Sequence, residues 1–153
     1  PAMPMGYAQA LGALANGQPE QLVNQHRYAK FVLEHTTAAD TVLSWSIDPT
    51  LNFQTGRAEP VAAVFYPYLV DSPISKRLEA DYFEQLKNNP PKYIIDNKGD
   101  RVNSFDLDLS TNKSNSARMP YIPGNFDEVV KWINQHYKTE YEDKDVLILR
   151  YTP

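Results

Sequence analysis

The segment "VAAVFYPYLVDSPISKRLEADYFEQLKNNPPKYIIDN", residues 61–97, sets the fold class. Its first part, Val61 to Tyr66, is an apolar run closed by Pro60 and Pro67, so it suits a strand better than a helix. Ile74, Leu78, Tyr82 and Leu86 then recur every four residues, as one helical face does, until Pro90 and Pro91 stop the helix. "KYIIDN", residues 92–97, follows as a short buried strand. This strand–helix–strand order implies a right-handed crossover and at least one parallel strand pair.

Outward from that unit, apolar residues at helical spacing between Pro19 and about Thr36 predict an amphipathic helix. Thr41 to Ser46 predicts a first strand behind the turn former Asp40. Asp48 is placed to cap a short helical turn that starts at Pro49 and ends at Gly56. On the other side, residues 97–124 hold one alternating piece, Phe105, Leu107 and Leu109, and otherwise read as a long irregular loop. "NFDEVVKWINQHY", residues 125–137, is the clearest helix, with Asn125 as cap, Glu128 at the reciprocal position, and Phe126, Val129, Val130, Ile133 and Tyr137 on one face. The chain closes in a hairpin turning at Glu142 to Asp145, whose second arm, Val146 to Leu149, is apolar enough for a sheet interior. The expected fold is α/β: an open mixed sheet of about four to five strands in two or three layers, with flanking helices and a C-terminal β-hairpin. It occupies residues 19–153 as one domain, behind a linker or cut end at 1–18 that is rich in Pro, Gly and Ala.

At 153 residues one core is expected, burying roughly 70% of the surface the unfolded chain exposes. The net charge of −4, with basic residues scattered, leaves no footprint for nucleic acid. There is no cysteine, which excludes disulfides and thiolate metal sites. No apolar run reaches the ~20 residues that span a bilayer.

Motif chemistry is sparse. His26, His35 and His136 have no partner at metal-ligand spacing; His26 falls on an apolar stripe, and the other two read as exposed. Elbow and phosphate-loop motifs are absent, and 6 glycines give little from which to build a phosphate cradle. No cofactor is implied. "DNKGD", residues 96–100, fails the calcium-loop pattern and reads as a turn. "DLD", Asp106 to Asp108, has the form of the metal-holding pair of many nucleotide-sugar transferases, so Asp106 and Asp108 are weak metal candidates. The plainer reading is a solvated strand edge.

The aromatics carry more. Trp45, Phe65, Tyr66, Tyr68 and Tyr121 lie at predicted strand ends or in loops, and in open α/β sheets ligands sit beyond the carboxyl ends of the strands. Trp45, Asp48, Arg57, Tyr66 and Tyr68 are therefore the candidate contact surface: rings for sugars to stack on, and an Arg for a phosphate or carboxylate. The plainer alternative is that the rings cap the sheet, and that Asp48 caps a turn or pairs with Arg57.

The succession "QHRYAKFVLEHTTAADTVLSWSIDPTLNFQTGR", "FYPYL" and "FEQLKNNPPKYIIDN" resembles the region after the last transmembrane helix of GT-C type membrane glycosyltransferases, the relatives of bacterial aminoarabinose transferase and protein O-mannosyltransferase. That pattern runs helix, strand ending in Trp, a short turn closing in Gly-Arg, an aromatic Phe-Tyr-Pro run, a helix and "PPKYI". It covers about residues 20–97.

The resemblance implies an extracytoplasmic domain, periplasmic or extracellular, attached through a missing N-terminal region to a polytopic enzyme that moves a sugar from a polyprenyl-phosphate donor to a lipid or protein acceptor. Its partners would be the transmembrane portion of the same polypeptide and a glycan or lipid-linked acceptor, with no nucleic acid. The family's catalytic acids lie between early transmembrane helices, and no position here corresponds to them, so none is carried over and the chain itself is expected to be non-catalytic. On this reading Arg57→Ala and Tyr66→Ala weaken transfer in the full enzyme and leave folding nearly intact. The competing class is a stand-alone carbohydrate- or protein-binding α/β module; a metal-dependent sugar transferase using "DLD" ranks behind both.

Overall fold

The computed structural model describes residues 28–45, 50–62, 72–98, 106–108, 113–115 and 126–153. Along the chain run α1 (Ala29–His35), β1 (Val42–Ser44), α2 (Thr50–Thr55), α3 (Pro73–Asn88), β2 (Tyr93–Asn97), β3 (Asp106–Asp108), β4 (Lys113–Asn115), α4 (Phe126–His136), β5 (Tyr137–Glu142) and β6 (Val146–Tyr151). Four strands form a mixed sheet in the order β1-β2-β6-β5, and β3 and β4 pair separately.

β1 runs parallel to β2, with Val42 opposite Tyr93. The ladder continues beyond β1, where the Trp45 N–H donates to the Ile95 carbonyl at 2.8 Å. β6 is antiparallel to both β2 and β5, and β5 with β6 forms the expected C-terminal hairpin. Its turn is held by Asp143, whose Oδ1 accepts from the Asp145 and Val146 N–H groups at 2.8 and 2.9 Å, as Asp does in turns. The first four residues of β2 and of β6 are buried, which is why both read as apolar runs. β5 is exposed after Tyr137, and its Lys138, Glu140 and Glu142 suit an edge strand.

Alternation along the strands sorts the core into two clusters. Leu43, Ile94, Leu147 and Leu149 pack with Tyr82 and Leu86 of α3 and Val129, Val130 and Ile133 of α4. Val42, Tyr93, Ile95, Val146 and Ile148 pack on the opposite face with Ala29 and Val32 of α1 and Leu51 of α2. The fold is therefore three-layered, with the sheet in the middle.

Several expectations are refined. The period-four face of α3 is buried only in its C-terminal half: Tyr82 and Leu86 are core, while Ile74 is 72% exposed. Tyr137 is not the last residue of α4 but the first of β5; it is buried, and its hydroxyl donates to the Pro91 carbonyl at 2.9 Å. Of the strand expected at Val61 to Tyr66, Val61 and Ala62 are bends, although Val61 is a core residue, and the rest lies outside the described residues. The stretch that does flank β1 comes earlier: Thr41 bridges Ala58 in parallel, and the Val42 N–H donates to the Ala58 carbonyl at 3.1 Å. Within 97–124, expected to be irregular, β3 and β4 pair antiparallel, with Leu107 buried and its N–H donating to Asp96 Oδ2 at 3.2 Å. Among the described residues no helix is long and apolar enough to cross a membrane.

Candidate functional site

Among the described residues two places hold convergent polar groups: a corner built around Arg57 and a groove where the parallel strands begin. The corner comes from "LNFQTGR". α2 ends at Gly56, whose φ of +62° is a left-handed conformation that Gly adopts without steric cost. The chain thereby turns back on itself, and Arg57 reaches across to α1. Its Nε donates to Thr36 Oγ1 at 2.7 Å, Nη2 to the Thr36 carbonyl at 3.1 Å and Nη1 to the Thr55 carbonyl at 2.9 Å. One guanidinium thus satisfies carbonyls at the C-terminal ends of two helices, where acceptors lack partners and a cation is favoured. Three of its five N–H groups are used in this way. Asn52 secures the same corner from below, with Nδ2 donating to the Val42 and Arg57 carbonyls at 2.7 and 3.2 Å.

Arg57 is therefore a structural tie, and the expectation that Arg57→Ala leaves folding nearly intact does not fit this geometry. Trp45 is 0% exposed and belongs to the α3–α4 cluster, so its ring is a packing element with no face open to a ligand. Asp48, Tyr66 and Tyr68 lie outside the described residues, as do His26, Phe65 and Tyr121. β3 carries Asp106 and Asp108 on either side of Leu107. Among the described residues no group of three or more His, Asp or Glu side chains comes together. His35 and His136 each donate from Nδ1 to the carbonyl four residues earlier, of Phe31 and Trp132, at 2.8 Å; His136, expected to be exposed, is half-buried and stacked on Trp132.

Sequence reasoning missed Glu59. It sits beside β1 just after Arg57, accepts the Ser44 backbone N–H, and burial pushes its carboxyl up to about 7, the Ser44 bond opposing that rise. Its Oε2 is buried and meets no partner among the described residues. A carboxyl in that state is neutral or charged according to small changes of pH around neutrality.

The groove lies at the opposite end of β1 and β2 from Trp45, at the strands' amino ends rather than the carboxyl ends favoured from sequence. It is open to solvent, has a volume of about 370 Å³ and is lined by Ala39, Asp40, Thr41, Asn89, Pro90, Lys92 and Tyr151. Backbone ties fix its walls: the Lys92 N–H donates to the Thr41 carbonyl at 2.9 Å and the Tyr151 N–H to the Lys92 carbonyl at 3.0 Å. Asp40 Oδ2 accepts from the Thr37 N–H at 2.7 Å, from Thr37 Oγ1 at 3.1 Å and from Lys92 Nζ at 3.1 Å. The Thr37 N–H, and after it Lys92, hold the Asp40 carboxyl below its ordinary value, so it is ionised at neutral pH and balances the ammonium. The signal for this groove in the sequence was "NNPPK" itself: a helix stop directly before a strand opens a gap that polar residues line.

Comparison with protein-family models, with curated proteins and with solved structures finds no match for this chain.

Proposed function

We propose that the chain is an extracytoplasmic accessory domain of a polytopic GT-C type glycosyltransferase, one that moves a sugar from a polyprenyl-phosphate donor to a lipid or protein acceptor. What supports this reading is the resemblance of "LNFQTGR", "VFYPYL" and "NPPKYIID", in order and spacing, to that family's pattern. The roles of two of these motifs make physical sense in such a domain. "LNFQTGR" forms the left-handed helix end from which Arg57 ties α1 to α2, and "PPKYIID" supplies Pro91, which accepts from Tyr137, and the central strand β2. Both belong to the scaffold, so the domain's part in transfer is to cover or orient, and the chemistry resides in the membrane portion of the parent enzyme.

The test is an immunoblot of fractionated native cells with an antibody raised against this chain. A band several times heavier than 17.4 kDa in the membrane fraction is the expected result. A soluble band near 17.4 kDa refutes the proposal and leaves a free-standing binding module.

A further inference from the structure

The groove at the starts of β1 and β2 has a chemistry of its own, independent of whether the chain is tethered to a membrane enzyme. Its two charged residues neutralise each other, Lys92 against Asp40, so a ligand with net charge gains little there; the groove is selective for a neutral occupant. Yet its lining is rich in unused hydrogen-bonding capacity. All of the donors on Asp40 converge on Oδ2, leaving Oδ1 as a charged acceptor. Among the described residues the Asn89 side-chain amide, the Thr41 hydroxyl and the Tyr151 hydroxyl, all in the lining, make no hydrogen bond to protein, and the Lys92 ammonium has two further protons to donate. Tyr151 also brings a ring that lies parallel to His136 and tilted against Tyr137, which hold it in place. Donors, acceptors and one fixed aromatic around a space of about 370 Å³ match a small ligand with a hydroxyl on nearly every carbon. We propose that this groove is a binding subsite for one neutral hexose-sized sugar unit, with Asp40, Asn89 and Lys92 bonding its hydroxyls beside Tyr151.

Glucose, galactose and mannose are the probes, titrated separately into the ¹⁵N-labelled full chain and followed by backbone and Asn side-chain amide shifts. Expected is a saturable shift confined to residues 39–41, 89, 92 and 151–152 for at least one sugar, with a Kd on the order of 1 mM, as suits a dozen heavy atoms and a single ring contact. Inorganic phosphate should leave those signals in place. Asn89→Ala, at an exposed position beyond the end of α3, should weaken binding about 5-fold or more without moving the melting temperature. No saturable shift with any of the three sugars overturns the proposal. So does phosphate acting on the same residues in place of sugar, or Asn89→Ala binding unchanged.

Discussion

Arg57→Ala tests the corner on which the α1–α2 layer depends. The guanidinium makes three internal hydrogen bonds, to Thr36 Oγ1, the Thr36 carbonyl and the Thr55 carbonyl, between 2.7 and 3.1 Å. Bonds from a charged donor contribute about 1.5–3 kcal/mol each when fully buried. Arg57 is only half-buried, and water can replace it at the carbonyls, so the net loss should be about 2 kcal/mol for the three together. Thr36 is 8% exposed and bears the larger share, because its hydroxyl and carbonyl sit where water reaches least. In a domain of 153 residues about 2 kcal/mol corresponds to a drop of ~4–8 °C in melting temperature. Urea unfolding followed by tryptophan fluorescence reads it directly, since Trp45 is fully buried in the folded state. Arg57→Lys should recover less than half of the loss: an ammonium keeps the charge but lacks the planar fork that reaches Thr36 and Thr55 together. An Arg57→Ala variant within ~0.5 kcal/mol of the parent refutes the claim that this side chain ties the two helices.

Other positions give independent checks. Glu59 should make stability fall as pH rises: the unfolded chain releases its proton near the ordinary value of 4.5 and the folded chain only near 7, so the folded state holds the extra proton in that window. The loss is on the order of 3 kcal/mol between about pH 4.5 and 7, and Glu59→Gln should abolish the slope and be the more stable form at pH 8; urea midpoints across that range decide. Gly56→Ala should cost about 1 kcal/mol in urea midpoint, because φ of +62° strains any residue with a Cβ even though the added carbon meets nothing within 4 Å, and Gly56→Asn should cost less. Tyr137→Phe should cost about 1–2 kcal/mol by the same measurement, since the buried Pro91 carbonyl loses the hydroxyl that satisfies it.

The fold was legible where periodicity and punctuation agree. Pro90 and Pro91 end α3, "YIID" then has nowhere to go but a covered strand, and Asp143 announces the C-terminal turn. The sequence could not show that β6 would insert between β2 and β5, because order in a sheet is set by which faces remain to be buried after all elements assemble. Nor could it show that Ile74 stays exposed, since a period-four stripe is the same whether a helix is covered along half its length or all of it. Tyr137 shows the limit of reading a boundary: its spacing continues the α4 stripe, yet its hydroxyl bond to Pro91 and its pairing with Tyr151 make it the start of β5.

The site was less legible, for a reason visible in two of its residues. Trp45 and Arg57 stand out because large aromatic and cationic side chains in a turn-rich segment look like ligand contacts, but the same side chains are the strongest ties available to a fold of short elements. β1 is three residues long and α2 six, too short to be held by their own ladders, so Trp45 anchors one into the α3–α4 cluster and Arg57 clamps the other to α1. Asp40, Asn89 and Lys92 were passed over because each is ordinary in isolation and Asp40 lies some fifty residues before the other two; only the parallel pairing of β1 with β2 aligns the turns that precede those strands. A groove assembled in this way shows in the sequence only as a helix stop before a strand, which makes Asn89→Ala, expected to be silent for stability and costly for sugar, the substitution that separates a functional surface from the scaffold beneath it.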